Sequence, residues 1–152
     1  MIEDTLEYLE KTLDVEGMCE FTRSFVDDLD SAMRIDVDLE SDSEWTGVIF
    51  LGMGGSGASG KFLKTISEED GGLPFVVWND YSLPRWWGPE WLVIATSYSG
   101  NTEETLSGIN EALELGGTVI GISSGGAMTE ILAMYQEAVH VPIPGGQMPR
   151  SA

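Results

Sequence analysis

The sequence predicts an α/β protein in which a parallel β-sheet carries helices on both faces. Short apolar runs that suit buried strands alternate with longer segments whose apolar residues have helical spacing. Strands that alternate with helices in this way are joined by crossover connections and form a parallel sheet. A chain of 152 residues with 42% hydrophobic content is long enough to bury one core. We therefore predict a three-layer αβα domain with a helical extension at its N-terminus.

The chain begins with a helical region. Residues 3–34 have helical spacing in two pieces that are separated near 14–17. The apolar faces consist of Leu6, Leu9 and Leu13 in the first piece and Phe21, Phe25, Leu29 and Met33 in the second. An acidic connector at 36–44 follows. We predict a helical segment at 1–45 that packs on a domain at 46–152.

Five strands are predicted in that domain from short apolar runs rich in β-branched and aromatic residues. The strands are expected at 47–52, 74–78, 91–96, 118–122 and 138–143, and the helices at 57–67, 102–115 and 127–136. The connection at 79–90 is not expected to be helical because it contains Pro84, Gly88 and Pro89. The carboxyl ends of parallel strands lie at one edge of the sheet, where folds of this class bind ligands.

The chain is strongly acidic, with 26 acidic and 7 basic residues and a net charge of -19. A surface of this sign disfavours nucleic acid and anionic membranes as partners. No apolar run approaches the roughly 20 residues of a membrane span, and the N-terminus lacks the features of a signal peptide. We therefore expect a cytoplasmic protein. We also expect no metal site, because the acids lack calcium-loop spacing and the single cysteine, Cys19, cannot form a cysteine cluster.

The most informative turn follows the third predicted strand. Residues 97–105 read Ser-Tyr-Ser-Gly-Asn-Thr-Glu-Glu-Thr. They bring hydroxyl groups and backbone N–H groups together at the start of a helix, where the helix dipole and the unpaired donors favour an anion. An ordinary capping arrangement, with Ser99 or Asn101 as the N-cap, is the alternative interpretation.

A second loop of this kind follows the first predicted strand. Residues 52–60 contain five glycines in nine positions, together with Ser56 and Ser59. Glycine lets the backbone approach a ligand closely and adopt positive φ. Two hydroxyl-rich loops at the carboxyl ends of two strands suit one compact phosphomonoester.

A dinucleotide site is an alternative interpretation of the second loop. Gly52, Gly54 and Gly57 fit the G-x-G-x-x-G fingerprint. Asp80, which would engage a ribose, lies 28 residues after Gly52, whereas the fingerprint places its acidic residue about 20 residues on. This interpretation gives residues 97–105 no obvious role, so nicotinamide-dinucleotide binding is the weaker hypothesis and we expect no cofactor.

Four ordered motifs between residues 52 and 152 resemble the sugar isomerase (SIS) domain, specifically the first half of the bifunctional phosphoglucose/phosphomannose isomerases. The motifs are 52–60, 97–105, Ile122-Ser123-Ser124-Gly125-Gly126 and 144–152. The first 45 residues match the family only in looking helical. The resemblance implies a flavodoxin-like, five-stranded parallel sheet between helices, which the family repeats twice per chain, and a dimer of two chains.

The resemblance also implies an activity in carbohydrate metabolism and glycolysis. Glucose 6-phosphate and mannose 6-phosphate would be interconverted with fructose 6-phosphate by proton transfer through an enediolate. The candidate phosphate- and substrate-binding residues are Gly54, Gly55, Ser56, Ser97, Ser99, Asn101 and Thr102. Arg150 would lie beside the reacting carbons and stabilise the enediolate, a role that suits a guanidinium because it donates several hydrogen bonds and keeps its proton.

The sequence departs from the family where proton transfer is concerned. The family's catalytic base and ring-opening histidine lie in the second SIS half, which is absent from this sequence. Glu103 and Glu104 are alternative candidates for a base, whereas His140 is expected to be a structural residue in the last strand. We predict a sugar-phosphate-binding isomerase domain that acts as a homodimer or with a second SIS half. It would be a fragment, a subunit of a split enzyme, or a stand-alone binding or regulatory module.

Overall fold

A computed structural model describes residues 2–14, 17–37 and 44–146 of the chain. Two compact units are present, Met1–Asp36 and Val37–Ala152. Arg150 and the rest of the 147–152 motif lie outside the described residues, and so do residues 38–43 of the predicted acidic connector.

The first unit consists of two helices, as the spacing predicted. Helix α1 spans Ile2–Leu13 and helix α2 spans Met18–Ala32. Gly17 precedes α2 with a φ of 70°, a left-handed conformation that separates the two helices. Within this unit, the Arg23 guanidinium of α2 forms an ion pair with the Glu10 carboxylate of α1.

The second unit is an α/β domain with a five-stranded, fully parallel sheet. Its strands are β1 (Gly47–Leu51), β2 (Phe75–Trp78), β3 (Trp91–Thr96), β4 (Val119–Ser123) and β5 (Ala138–Pro142). Its helices, which flank the sheet, are α3 (Gly54–Glu69), α4 (Glu103–Glu114) and α5 (Ala127–Leu132). The strand order is β2-β1-β3-β4-β5, and every pairing is parallel. The predicted fold class is confirmed.

The core lies where the central strands meet α4 and α5. Burial is complete for residues of β1, β3 and β4, and it continues into the two helices. The fully buried apolar side chains are Ile49, Phe50, Val93, Ala95, Ile109, Ala112, Val119 and Met128. Gly108 lets α4 lie close to the sheet, because a Cβ at that position would come within 2.7 Å of the Leu51 side chain. This close contact sets the distance between α4 and the sheet, and with it the position of the α4 N-terminus at the sheet edge.

Two predicted helix boundaries in this unit were wrong by three residues or more. Helix α3 begins at Gly54 and not at residue 57, so that residues 54–60 of the glycine-rich loop are already helical. Helix α5 ends at Leu132 and not at residue 136. At its end, hydrogen bonds join residues that are three apart, as in a 3-10 turn. They run from the Met134 N–H to the Ile131 carbonyl and from the Tyr135 N–H to the Leu132 carbonyl. The chain turns there because β5 begins at Ala138.

The strand order places a topological switch between β1 and β3. From β1 the chain crosses to β2 on one side of the sheet, and from β2 it returns to β3 on the other side of β1. The register pairs Leu51 with Ala95, so both strands end at the same level and their following loops start side by side. Doubly wound sheets bind ligands at this kind of crevice.

None of the helices in the described part of the chain is long and apolar enough to cross a membrane.

Candidate functional site

The two loops singled out in the sequence lie at the switch between β1 and β3. Each leads directly into a helix, so two helix N-termini follow neighbouring strands at one edge of the sheet. The first three N–H groups of a helix have no acceptor within it, and the helix dipole makes that end positive. The edge is therefore suited to an anion.

At the start of α4 the N-cap residue is Thr102, with extended backbone angles. The alternative that Ser99 or Asn101 caps this helix was therefore wrong. The Thr102 hydroxyl makes no capping bond and lies 2.8 Å from the Ser97 hydroxyl instead. The first helical bond runs from the Leu106 N–H to the Thr102 carbonyl, which leaves the N–H groups of residues 103–105 without acceptors in the helix.

The Ser97 and Thr102 hydroxyls form a pair with a spare donor. Two hydroxyl groups carry two protons, and their mutual hydrogen bond uses one of them. Ser97 is only 1% exposed, whereas Thr102 is half-buried and therefore has the better access to a ligand. Donation from Ser97 to Thr102 would leave the Thr102 proton free to bond an anion at this edge.

Ser99 and Asn101 organise the outer part of the same loop. The Asn101 N–H donates to the Ser99 hydroxyl oxygen at 3.2 Å, and the Asn101 side-chain amide donates to the Ser99 carbonyl at 3.0 Å. The Ser99 hydroxyl thus accepts a bond and keeps its own proton for a ligand. The Asn101 side-chain oxygen accepts from the Ala127 N–H at 3.0 Å. Both polar ends of that side chain are engaged in holding the loop.

At the start of α3 the glycine-rich loop supplies mainly backbone groups. Met53 is the N-cap, and Gly54, Gly55 and Ser56 form the first helical turn. The first helical bond runs from the Gly57 N–H to the Met53 carbonyl, so the N–H groups of residues 54–56 have no acceptor in the helix. Gly54 and Gly55 are exposed and present their N–H groups without a side chain in the way.

The Asn79 side chain fixes the base of this loop. Its amide, directly after β2, donates to the carbonyl of Gly52, directly after the neighbouring strand β1. Gly57 packs against the same place, because a Cβ there would come within 2.7 Å of the Gly52 oxygen and 2.8 Å of the Asn79 amide nitrogen. Asp80, the acid of the dinucleotide hypothesis, is exposed after β2 and accepts from the Tyr81 N–H at 2.8 Å.

Two carboxylates, Glu103 and Glu104, lie in the first turn of α4 at this edge of the sheet. The Glu103 side chain accepts a hydrogen bond from the Tyr81 hydroxyl at 3.2 Å, and Glu104 is half-buried. The negative charge of Glu104, loss of solvation and the bond to Glu103 raise the pKa of Tyr81 above its ordinary value. Tyr81 therefore keeps its proton and its bond to Glu103 into alkaline solution.

The non-helical connection at 79–90 is anchored along one stripe of α4. Besides the Tyr81 bond to Glu103, the Ser82 N–H donates to the Ser107 hydroxyl at 3.3 Å and the Leu83 N–H to the Glu111 carboxylate at 2.6 Å. The three α4 residues are four apart and share one helix face. This anchoring holds Tyr81 beside the first turn of α4.

The structure brings both groups of predicted phosphate-binding residues to one sheet edge. Sequence reasoning missed Asn79, although an amide side chain directly after a strand was a usable signal. It also missed the contacts of Ser123 and Ser124, which were noted only as part of a family motif. His140 lies in β5, half-buried, with its Nε2 atom 2.9 Å from the Ser123 hydroxyl. Within the described ranges, no three His, Cys, Asp or Glu side chains are grouped to hold a metal ion.

Comparisons with known proteins identify a domain family. The sequence model of the SIS domain matches residues 43–139. A bifunctional phosphoglucose/phosphomannose isomerase from Caldicellulosiruptor bescii is 40% identical over 105 residues, which cover 69% of this chain and 31% of that protein. A protein of the same name from Thermoplasma acidophilum is 41% identical over 108 residues, which cover 71% of this chain and 32% of that protein. The chain thus spans about a third of the length of these relatives.

The fold is shared with solved structures of much lower sequence identity. The crystal structure of tagatose-6-phosphate ketose/aldose isomerase from Escherichia coli matches with a TM-score of 0.58 at 17% identity, covering 84% of this chain and 35% of that one. The sheet, the two loops at its switch point and the sequence match over residues 43–139 lead to one assignment. The chain belongs to the SIS domain family and is homologous to the phosphoglucose/phosphomannose isomerases.

Proposed function

We propose that the edge formed by the ends of β1 and β3 binds the phosphate group of a sugar 6-phosphate. The observation that carries the proposal is the pair of helix N-termini on neighbouring strands, each accompanied by hydroxyl side chains. The names of the relatives from Caldicellulosiruptor bescii and Thermoplasma acidophilum support a phosphosugar as the ligand. On this proposal the chain is the sugar-phosphate-binding domain of an aldose–ketose isomerase.

A phosphomonoester suits the donors at this edge. The two helices offer the N–H groups of residues 54–56 and 103–105, and hydroxyl donors come from Ser56, Ser99 and Thr102. A monoester has three terminal oxygens that accept hydrogen bonds, so one group can be shared between both helix ends. Gly54 and Gly55 contribute backbone donors, whereas Asn101 holds the loop through its side-chain bonds.

The proposed reaction interconverts glucose 6-phosphate or mannose 6-phosphate with fructose 6-phosphate. A base removes the proton next to the carbonyl carbon and returns it to the neighbouring carbon, so that an enediolate carries negative charge between the two steps. Arg150 is proposed to stabilise that charge. Glu103 is engaged with Tyr81, which leaves Glu104 as the freer carboxylate at this edge. We propose that a second SIS half supplies the base, and that the chain acts in the cytoplasm as a homodimer or with such a half.

Titration of the purified chain with fructose 6-phosphate tests the proposal. Binding is followed by calorimetry or by tryptophan fluorescence, since the chain contains five tryptophans. We expect saturable binding that weakens at least about tenfold in Ser99→Ala, because a hydrogen bond to a charged group is lost. Ser67→Ala is the control for loss of a serine hydroxyl away from this edge: it removes the bond that the Ser67 hydroxyl donates to the Leu73 carbonyl at 3.0 Å.

Two further measurements separate the alternatives. Saturation by NAD without a response to fructose 6-phosphate would overturn the proposal in favour of the dinucleotide site at Gly52, Gly54 and Gly57. Isomerase assays of the chain alone and with added second SIS half test the reaction. Turnover by the chain alone would contradict the proposal that the base lies elsewhere, and Glu104→Gln would then show whether that carboxylate is the base.

A further inference from the structure

The turn from β4 into α5, residues 123–126 with the last residue of β4 included, has no part in the proposed function although it contacts the 97–102 loop directly. Both segments lie at the carboxyl edge of the sheet, after the neighbouring strands β3 and β4. The turn begins with two serines, Ser123 and Ser124, and both hydroxyl groups donate hydrogen bonds to backbone carbonyls. The contacts of this turn therefore bear on how the 97–102 loop is held.

Ser124 joins the turn to the loop through two donors. Its backbone N–H donates to the Tyr98 carbonyl at 3.0 Å, and its hydroxyl donates to the same carbonyl at 2.7 Å. Ser124 is half-buried, so water competes less for these bonds than at an open surface. A carbonyl that accepts two bonds from one residue has its direction fixed. The peptide between Tyr98 and Ser99 is thereby oriented, directly before the Ser99 hydroxyl.

The first residues of α5 hold the next part of the loop. The Ala127 N–H donates to the Asn101 side chain at 3.0 Å, and the Met128 N–H donates to the Gly100 carbonyl at 2.9 Å. The N-cap of α5 is Gly126, which has no side chain to satisfy these donors. The 97–102 loop therefore accepts hydrogen bonds from the first N–H groups of α5, and the same bonds hold the loop in place.

The backbones of the two segments approach too closely for side chains at the contact. Gly100 has a φ of +65°, and a Cβ on it would collide with the Gly125 carbonyl oxygen. Gly126 has a φ of +74°, and a Cβ on it would collide with the Ser99 carbonyl oxygen. The turn and the loop thus fit against each other through glycine on both sides.

The base of the turn is fastened to β5. The Ser123 hydroxyl donates to the Gly125 carbonyl at 2.9 Å and lies 2.9 Å from His140 Nε2. Since the Ser123 proton goes to Gly125, the His140 ring donates to the serine oxygen. Ser123 has no exposed surface. Hydrogen bonds therefore join the turn to β5 through Ser123 and to the loop through Ser124.

We infer that Ser124 is a positioning residue for phosphate binding: it holds the 97–102 loop in the conformation in which the Ser99 and Thr102 hydroxyls meet the ligand. The inference rests on the proposed function, because it takes the 97–102 loop as the phosphate-binding segment. Ser124 acts through the loop backbone and needs no contact with the phosphate. Without it, the loop would have to be ordered when the ligand binds, and that ordering would cost affinity.

The test compares Ser124→Ala with the wild-type chain in two measurements. Calorimetric titration with fructose 6-phosphate is expected to show about fivefold weaker binding in the variant. Amide hydrogen exchange of the ligand-free chain is expected to be faster at Gly100, Asn101 and Met128 in the variant. Ser124→Thr retains the hydroxyl group and is expected to restore slow exchange and most of the affinity.

Ser67→Ala separates positioning from general stability. Ser67, near the end of α3, makes the same type of bond, from its hydroxyl to the carbonyl of Leu73 in the connection to β2, at 3.0 Å. This control is expected to lower thermal stability to a similar extent but to leave fructose 6-phosphate affinity and Gly100 exchange unchanged.

The outcomes are distinct for the inference and for the proposed function. An equal loss of affinity in Ser67→Ala and Ser124→Ala would overturn the inference, and so would unchanged exchange at Gly100 and Asn101 in Ser124→Ala. A wild-type chain that binds neither fructose 6-phosphate nor inorganic phosphate would overturn the proposed function and, with it, the role of Ser124 in binding. Faster loop exchange in Ser124→Ala together with weaker binding supports both.

Discussion

The position of Gly100 disfavours a side chain for two reasons. Its φ of +65° is left-handed, and the position a Cβ would take is filled by the Gly125 carbonyl oxygen. Gly116, at the C-terminus of α4, has a similar φ of +78°, but nothing lies within 4 Å of the position a Cβ would take. Alanine substitutions at the two positions therefore separate the free-energy cost of the left-handed backbone from the free-energy cost of the steric collision.

We predict that Gly100→Ala lowers the free energy of unfolding by more than Gly116→Ala does. The left-handed conformation alone costs an alanine about 1–2 kcal/mol, which is the expected effect at Gly116. Gly100→Ala must also displace the turn at 123–126, which raises the expected loss to about 3–5 kcal/mol. Urea unfolding of both variants measures the difference. Equal losses would mean that the turn moves aside at little cost.

The candidate site residues differ in how far the sequence alone could predict their roles. Hydroxyl and glycine types at strand ends indicated Ser56, Ser99 and Thr102 as phosphate contacts, and the topology places their loops at one edge. Asn101 belonged to the same pattern, but its side chain bonds Ser99 and Ala127. The partner at Ala127 lies 26 residues away in the chain. Such a contact depends on strand order and register, which no local pattern contains.

At the scale of elements, Asp14 supports α2 from outside the helix. Its carboxylate oxygens accept the N–H groups of Met18 at 2.7 Å and of Cys19 at 2.8 Å. The bond from the Cys19 N–H is the largest cause that lowers the pKa of Asp14 below its ordinary value. A lowered pKa means that the folded chain favours the charged carboxylate. The support is therefore present above the unfolded pKa, about 3.9, and is lost as pH falls through the lower, folded value.

We predict that Asp14→Asn weakens the start of α2 because a neutral amide accepts these bonds less strongly. Cα chemical shifts of residues 18–20 are expected to move towards random-coil values at pH 7. Wild-type shifts should move in the same direction only in acid, below about pH 4. Asp36→Asn makes the same charge change outside the helix and should leave the shifts unchanged. Loss of helical shifts in both variants would instead indicate an effect of net charge.

Element positions in the α/β unit followed closely from hydrophobic patterns, and the errors have physical causes. Strand β3 was predicted with its observed bounds at 91–96, because apolar burial on both faces gives an unambiguous run. Helix α3 was predicted to start late, since glycine disfavours helix in isolation. Tertiary packing overrides that preference: Gly60 lies against Phe50, so closely that a Cβ would collide with the ring. The glycines at 57 and 60 serve the approach of α3 to β1.

For the whole molecule, the net charge of -19 opposes the binding of a phosphate dianion. Between residues 44 and 146 the basic residues are Lys61, Lys64 and Arg85, against twelve acidic ones. The site itself is bordered by Glu103 and Glu104 at the start of α4. The phosphate would be held at short range by N–H and hydroxyl donors, while the field of the chain repels it at longer range.

We therefore predict that fructose 6-phosphate binds more tightly as potassium chloride is raised from 0.01 M to 1 M. The Debye length falls from about 30 Å to about 3 Å over this range, which removes the long-range repulsion but spares the direct hydrogen bonds. Calorimetric titration at each salt concentration measures the trend. A variant with Glu68→Gln and Glu69→Gln, at the far end of α3, should bind more tightly than wild type at 0.01 M and equally at 1 M. Affinity that falls with salt would show that a cation such as Arg150 dominates binding, because screening weakens attraction between opposite charges.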